Sequence, residues 1–209
     1  MKIRFFSLLL ALASTALIAG CGGEPPASDL ATAKGALDAA RAAGAEKFAA
    51  SDYSAAQGAY SGAEQAVNTE ADKLFKDFGQ AKQMIADAKA RADRAKAAAE
   101  AEKGSQRSAA EGAISAAAST IQEARAGVDS APAGKGTEND IEQLRADLNG
   151  ADADLNAARS AVASENFDQA QSSAQSAQSK AAQVQSGLQS ATQKYEELVE
   201  KMRPWYDRI

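Results

Sequence analysis

IEQLRADLNGADADLNAARSAV, residues 141–162, decides how this chain folds. Its apolar residues Ile141, Leu144, Leu148, Ala151, Leu155, Ala158 and Val162 recur at steps of three and four. A helix turns once in 3.6 residues, so that spacing draws a single apolar seam along one helical face; a strand would alternate every second residue. A second seam follows through Phe167, Ala170, Ala174, Ala177, Ala181, Val184, Leu188, Ala191, Tyr195, Leu198 and Met202. Between the two seams the step lengthens to five, from Val162 to Phe167, and Ser164-Glu165-Asn166 supplies residues that favour a helix start. The pattern predicts an αα-hairpin whose arms face each other.

Upstream, Phe78, Ala81, Ile85, Ala88, Ala92, Ala95 and Ala99 keep the same register, and Asp77-Phe78-Gly79-Gln80-Ala81 aligns with Asn166-Phe167-Asp168-Gln169-Ala170. This is an internal repeat in two copies. The arm before it carries Tyr53, Ala56, Tyr60, Ala63 and Val67, and the seam spacing permits either a turn or a continuous helix between Asn68 and Asp77. Glu102 to Ser108 interrupts the seam around Gly104-Ser105, which predicts a hinge, with a polar patch in an unbroken helix as the rival. Apolar positions resume at Ala110, Ile114, Ala117, Ile121, Ala124 and Val128 in what reads as a shifted phase. Residues 131–137 form a loop, and Thr137 with Asp140 resembles a capping box.

The predicted class is all-α: an elongated antiparallel bundle of coiled-coil-like helical hairpins with an alanine-rich seam. One hairpin region spans 29–131, a second spans 138–203, and 204–209 is a tail. Alanine at the contacts lets helix axes approach toward the near end of the usual ~8–10 Å, but each buried methyl removes little surface from water. Stability must therefore come from length. Each hairpin leaves a flank wet that a second copy would cover, and the charges on the other faces limit this to at most a weak homo-oligomer.

Composition narrows the chemistry. The 209 residues include no His and one Cys, so the usual ligands for zinc, haem and iron–sulfur centres are missing, as are the bases of nucleophilic triads. No cofactor and no metal site are expected. Carboxylate pairs are available for acid–base work on a glycan, but aromatics make up only 5% of the chain and the apolar share of 45% is dominated by alanine. Such residues build no pocket that would raise a carboxyl pKa, and an enzyme is not expected. The net charge is −5, with acids and bases interspersed as in Lys89, Arg91, Asp93, Arg94 and Lys96. Nucleic acid is disfavoured as a partner, because phosphate affinity comes from clustered Lys and Arg.

At the N-terminus Lys2 and Arg4 precede an apolar run, residues 5–18, and then Ala19-Gly20-Cys21. The run is too short to span a bilayer and has the layout of a cleaved signal. The whole resembles the lipobox of bacterial lipoproteins. That resemblance implies removal of residues 1–20 and acylation of Cys21, the new N-terminus, in the manner that adds palmitate; several acyl chains hold a protein stably at a membrane face. Gly22, rather than Asp, after the cysteine is similar to the pattern of outer-membrane lipoproteins, which implies an outer-membrane anchor facing the periplasm. Residues 21–28, with Pro25-Pro26, are expected to serve as a stiff linker lifting the fold off the lipid.

Residues 36–53, ALDAARAAGAEKFAASDY, together with the Asp77-Phe78-x-x-Ala81 repeat, resemble the alanine-rich helical domain of unknown function found in small Gram-negative envelope lipoproteins. The likeness covers roughly Asp29 to Ala99. It implies a non-enzymatic periplasmic spacer, scaffold or docking element, with an envelope protein or peptidoglycan as partner. The alternative is a lipid-surface protein whose weakly buried helices open on membranes; a wall-glycan enzyme is a distant third. The expected docking residues are Trp205 and Tyr206 with Arg203 and Arg208, which lie where Pro204 ends the last helix. The competing expectation is that Trp205 folds back over the end of the bundle.

Overall fold

A computed structural model describes residues 23–132, 134 and 136–203, and among them every regular element is a helix. The helices are α1 (Ala27–Ala42), α2 (Ala45–Phe48), α3 (Ala50–Ala71), α4 (Gly79–Ser130), α5 (Glu138–Ala163) and α6 (Phe167–Met202). The all-α class expected from the seams is the class observed. The chain divides into two compact units, one reaching Glu102 and the other starting at Lys103. This division lies inside α4, upstream of the 131–137 loop at which the sequence pattern separates two hairpins.

In the first unit the core is built from α1, α2, α3 and the first half of α4. Ala33 packs with Ala63, Val67, Phe78, Ala81 and Ile85. Ala40 and Ala45 pack with Tyr53, Ala95 and Ala99. These pairings run both α1 and α4 from the Val67 end of α3 toward its Tyr53 end, each antiparallel to α3. The seam read from Phe78 to Ala99 is buried at every position.

Composition hides one break in this unit. The first helix stops at Ala42, and Gly44 takes a left-handed conformation (φ 86°) that ends it, its amide donating to the Arg41 carbonyl at 2.9 Å. Glycine adopts this geometry without the Cβ penalty other residues meet. The short α2 and the non-helical Ala49 (φ −145°, ψ 46°) then turn the chain into α3.

The second unit joins the rest of α4 to α5 and α6. Ala117, Ile121, Ala124 and Val128 share one core with the α5 residues from Ile141 to Ala158 and the α6 residues from Ala174 to Ala191. The α5–α6 hairpin is present as expected, and α4 adds a third arm to it. Two alanine-lined arms bury too little to close a core alone, and the third covers the flank that a two-arm hairpin leaves in water. Two glycines permit close approach: a Cβ on Gly127 would fall 2.6 Å from Leu188 Cδ2, and one on Gly187 would fall 2.7 Å from Leu144 Cδ2.

Three local expectations are corrected. Gly104 does not interrupt the helix: α4 is helical throughout Gly79–Ser130. Nor does the seam change phase there, because half-buried Lys103 and Gln106 occupy the contact positions between Ala99 and Ala110. The steps remain three and four; what changes is polarity. No capping box forms at Thr137 either. Its hydroxyl is fully buried and donates to the Gly134 carbonyl at 3.0 Å, while Asp140 reaches Lys194 on α6 at 2.7 Å.

Candidate functional site

The predicted docking tail meets the structure at one residue. Arg203 caps α6 in an extended conformation (φ −61°, ψ 135°), as the residue before a proline prefers. Its guanidinium contacts Glu200 at 3.3 Å with both side chains exposed. Trp205, Tyr206 and Arg208 lie outside the described residues, as does Cys21, the predicted lipidation site.

A different feature stands out at the α3–α4 corner. The seam spacing Val67, Ala71, Leu74, Phe78 would make Leu74 a contact residue if α3 ran straight into α4. Instead α3 ends at Ala71, residues 72–78 turn the chain, and the Asp77 carboxylate accepts the Gly79 amide at 2.9 Å to start α4. Phe78 turns inward and is 4% exposed, whereas Leu74 and Phe75 stand out at 91% and 81%. Lys73 beside them pairs with Glu70 at 2.5 Å. Sequence reasoning left this region open between turn and helix and so missed the exposed pair. Leu74 and Phe75 both lie at steps of three or four between Ala71 and Phe78, so the spacing carried no signal that either would be exposed.

The corner lies against the start of the described chain. A Cβ built on Gly23 would sit 3.4 Å from Phe78 Cδ2 and 3.9 Å from the Lys76 carbonyl oxygen. Pro26 is buried and its carbonyl accepts the Leu30 amide at 3.0 Å, so α1 begins at Ala27. Of the stretch expected to be a linker, Gly23, Glu24 and Pro25 are exposed and Pro26 is buried.

The electrostatics differ between the units. In the first, ion pairs run mostly along single helices, as in Lys34–Asp38, Lys89–Asp93 and Arg91–Asp87. Arg41 is the exception: it reaches Glu46 at 3.0 Å across the α1–α2 turn and lies 5.9 Å from the centre of the Tyr53 ring. Its contact with Tyr53, above all, holds its pKa above the ordinary arginine value. In the second unit most pairs cross between elements: Lys194–Asp140, Lys180–Asp154 and Arg125–Asp152 join helices, and Lys103 on α4 reaches Glu165 in the α5–α6 turn. Asp154 accepts from Lys180 at 2.8 Å and from Ser176 at 2.6 Å, and these donors, Lys180 first, hold its carboxyl below the usual range.

Among the described residues no three metal-ligating side chains converge, and no helix is long and apolar enough to cross a membrane. A groove of about 410 Å³ between α5 and α6 is lined by Leu144, Gly187 and Ala191 with Asp140 and Lys194, which already neutralise each other. Compared with protein-family models, curated proteins and solved structures, the chain finds no match.

Proposed function

We propose that this chain is a non-enzymatic lipoprotein of the bacterial envelope, held to the membrane by acylated Cys21 and serving in the periplasm as a helical spacer, scaffold or docking element. The observation that carries this reading is the order of residues at the N-terminus: Lys2 and Arg4, the apolar run 5–18, then Ala19-Gly20-Cys21. The helical units are in keeping with it: their buried residues are almost all apolar and lie on internal seams, and among the described residues only Leu74, Phe75, Val199 and Met202 are exposed large hydrophobics. A lone thiol in a secreted chain calls for a role, and acylation supplies one.

Fractionation of cells expressing the full chain tests the reading. The wild-type protein is expected in the membrane fraction and to resist extraction by high salt. The Cys21→Ser variant is expected to leave that fraction. Equal membrane retention of the two forms would remove the anchor from the account.

A further inference from the structure

We infer that the α3–α4 corner is a membrane-contact element: Leu74 and Phe75 enter the acyl region of the bilayer beside the lipid anchor. The inference rests on acylation of Cys21. Two peptide units separate Cys21 from Gly23, a reach of at most about 7 Å. A Cβ built on Gly23 would lie 3.4 Å from Phe78 Cδ2 and 3.9 Å from the Lys76 carbonyl oxygen, which keeps the Gly23 Cα within about 5.5 Å of both. Summing these links along the chain keeps the Phe75 Cα within about 20 Å of the Cys21 Cα even when fully extended. The most exposed large apolar side chains of the described structure, Leu74 and Phe75, thus belong to the corner that the anchor tethers.

The chemistry of the corner selects acyl chains rather than charged headgroups. Glu70, Asp72, Lys73, Lys76 and Asp77 nearly cancel, Lys73 is paired with Glu70, and Asp77 is engaged at the start of α4. The two apolar side chains lie on an irregular turn, where insertion of their tips leaves the adjoining helices intact. Anchors that combine an acyl chain with a second membrane signal hold more firmly and with defined orientation than an acyl chain alone. The corner is such a signal, and it fixes which end of the first unit faces the lipid.

The full chain, purified from membranes and returned to vesicles, provides the test. Phe75→Trp in a Trp205→Phe background makes the reporter the sole indole; circular dichroism confirms that the variant keeps the helix content of the wild type. Vesicles of phosphatidylcholine, with and without lipids brominated on their acyl chains, are compared with vesicles that also contain phosphatidylglycerol. The expected result is a blue-shifted emission that loses more than half its intensity to brominated chains, to the same extent in both lipid mixtures. An acylated, vesicle-bound protein whose reporter stays red-shifted and escapes bromine overturns the inference while leaving the anchor in place. A blue shift that depends on protein concentration and ignores bromine overturns it in favour of a second copy covering the corner. A chain whose intact mass carries no acyl groups overturns both the inference and the reading beneath it.

Discussion

At the α5–α6 corner the chain turns on Ser164, Glu165 and Asn166, with Phe167 buried and Val162 half-buried; at the α3–α4 corner it uses residues 72–78 and leaves Leu74 and Phe75 in water. Both corners end with a buried phenylalanine at the start of the outgoing helix, Phe167 in one and Phe78 in the other, followed by seam alanines in the same register. The repeat therefore marks one structural task performed twice: an aromatic plug fixes where the returning arm meets its neighbours. The short corner shows how little chain that task requires. Of the residues added at the long one, Lys73 to Lys76, Leu74 and Phe75 point into water, so this exposed apolar pair is the place to look for function.

The plug is the strongest point at which the comparison can be broken. Phe167→Ala removes the largest fully buried side chain and is expected to cost its unit about 3–5 kcal/mol; Phe78→Ala should cost the first unit an amount in the same range. Urea titrations followed by circular dichroism read both. If Phe78→Ala proves nearly neutral while Phe167→Ala does not, the corners are not two versions of one device.

The tight corner carries a local conflict that the long one avoids. Glu165 takes a left-handed conformation (φ 57°) so that its amide reaches the Val162 carbonyl and the Asn166 amide reaches the Ala161 carbonyl, closing the end of α5. A non-glycine residue is disfavoured there by roughly 1–2 kcal/mol. The partly exposed ion pair with Lys103 returns only ~0–1 kcal/mol. Glu165→Gly is expected to stabilise the second unit by about 1 kcal/mol or less, seen as a rise in Tm; a fall would show that the Lys103 contact outweighs backbone strain.

Cross-helix ion pairs give a pH dependence to the second unit. The folded pKa of Asp154 lies below its ordinary value of 3.8. Its stabilising contribution is therefore complete above that value and is lost as pH falls from it through the folded pKa. Asp154→Asn should flatten the acid limb of the stability profile by under ~1 kcal/mol, as expected of a partly exposed pair. An unchanged acid limb would mean that Lys180 and Ser176 do not hold the carboxylate in solution.

The smallest expected effect is at the long corner itself. The double variant Leu74→Ser, Phe75→Ser should change the stability of the isolated protein by no more than ~0.5 kcal/mol, although Phe78 lies only three residues away. A loss comparable to that of Phe78→Ala would show that the exposed pair packs after all and is no surface element.

The seams were legible because periodicity records which face of a helix is covered. Ile141 to Ala158 and Phe78 to Ala99 are buried as the spacing requires, and only at the ends does the register drift, with Ala161 more buried than Val162 and Met202 exposed. What the sequence hid was which arms meet. Alanine contacts carry little shape, so nothing in the spacing distinguishes a two-arm hairpin from the three-arm packing that α4 completes. Polar Lys103 and Gln106 in the seam imitated a hinge at Gly104, because a pattern reading treats a polar contact as a missing one. Leu74 imitated a seam residue for the opposite reason: its spacing suits a helix that the chain does not continue. Of the predicted site residues, only Arg203 falls where its surroundings can be described, and there it does what the following proline demands.

Mass spectrometry of the N-terminal peptide from the membrane-extracted protein tests the central claim most directly. The account predicts that the mature chain begins at Cys21, with a diacylglyceryl group on its sulfur, and that residues 1–20 are gone. A chain that retains residues 1–20, or begins elsewhere, or carries an unmodified Cys21 thiol, would contradict it.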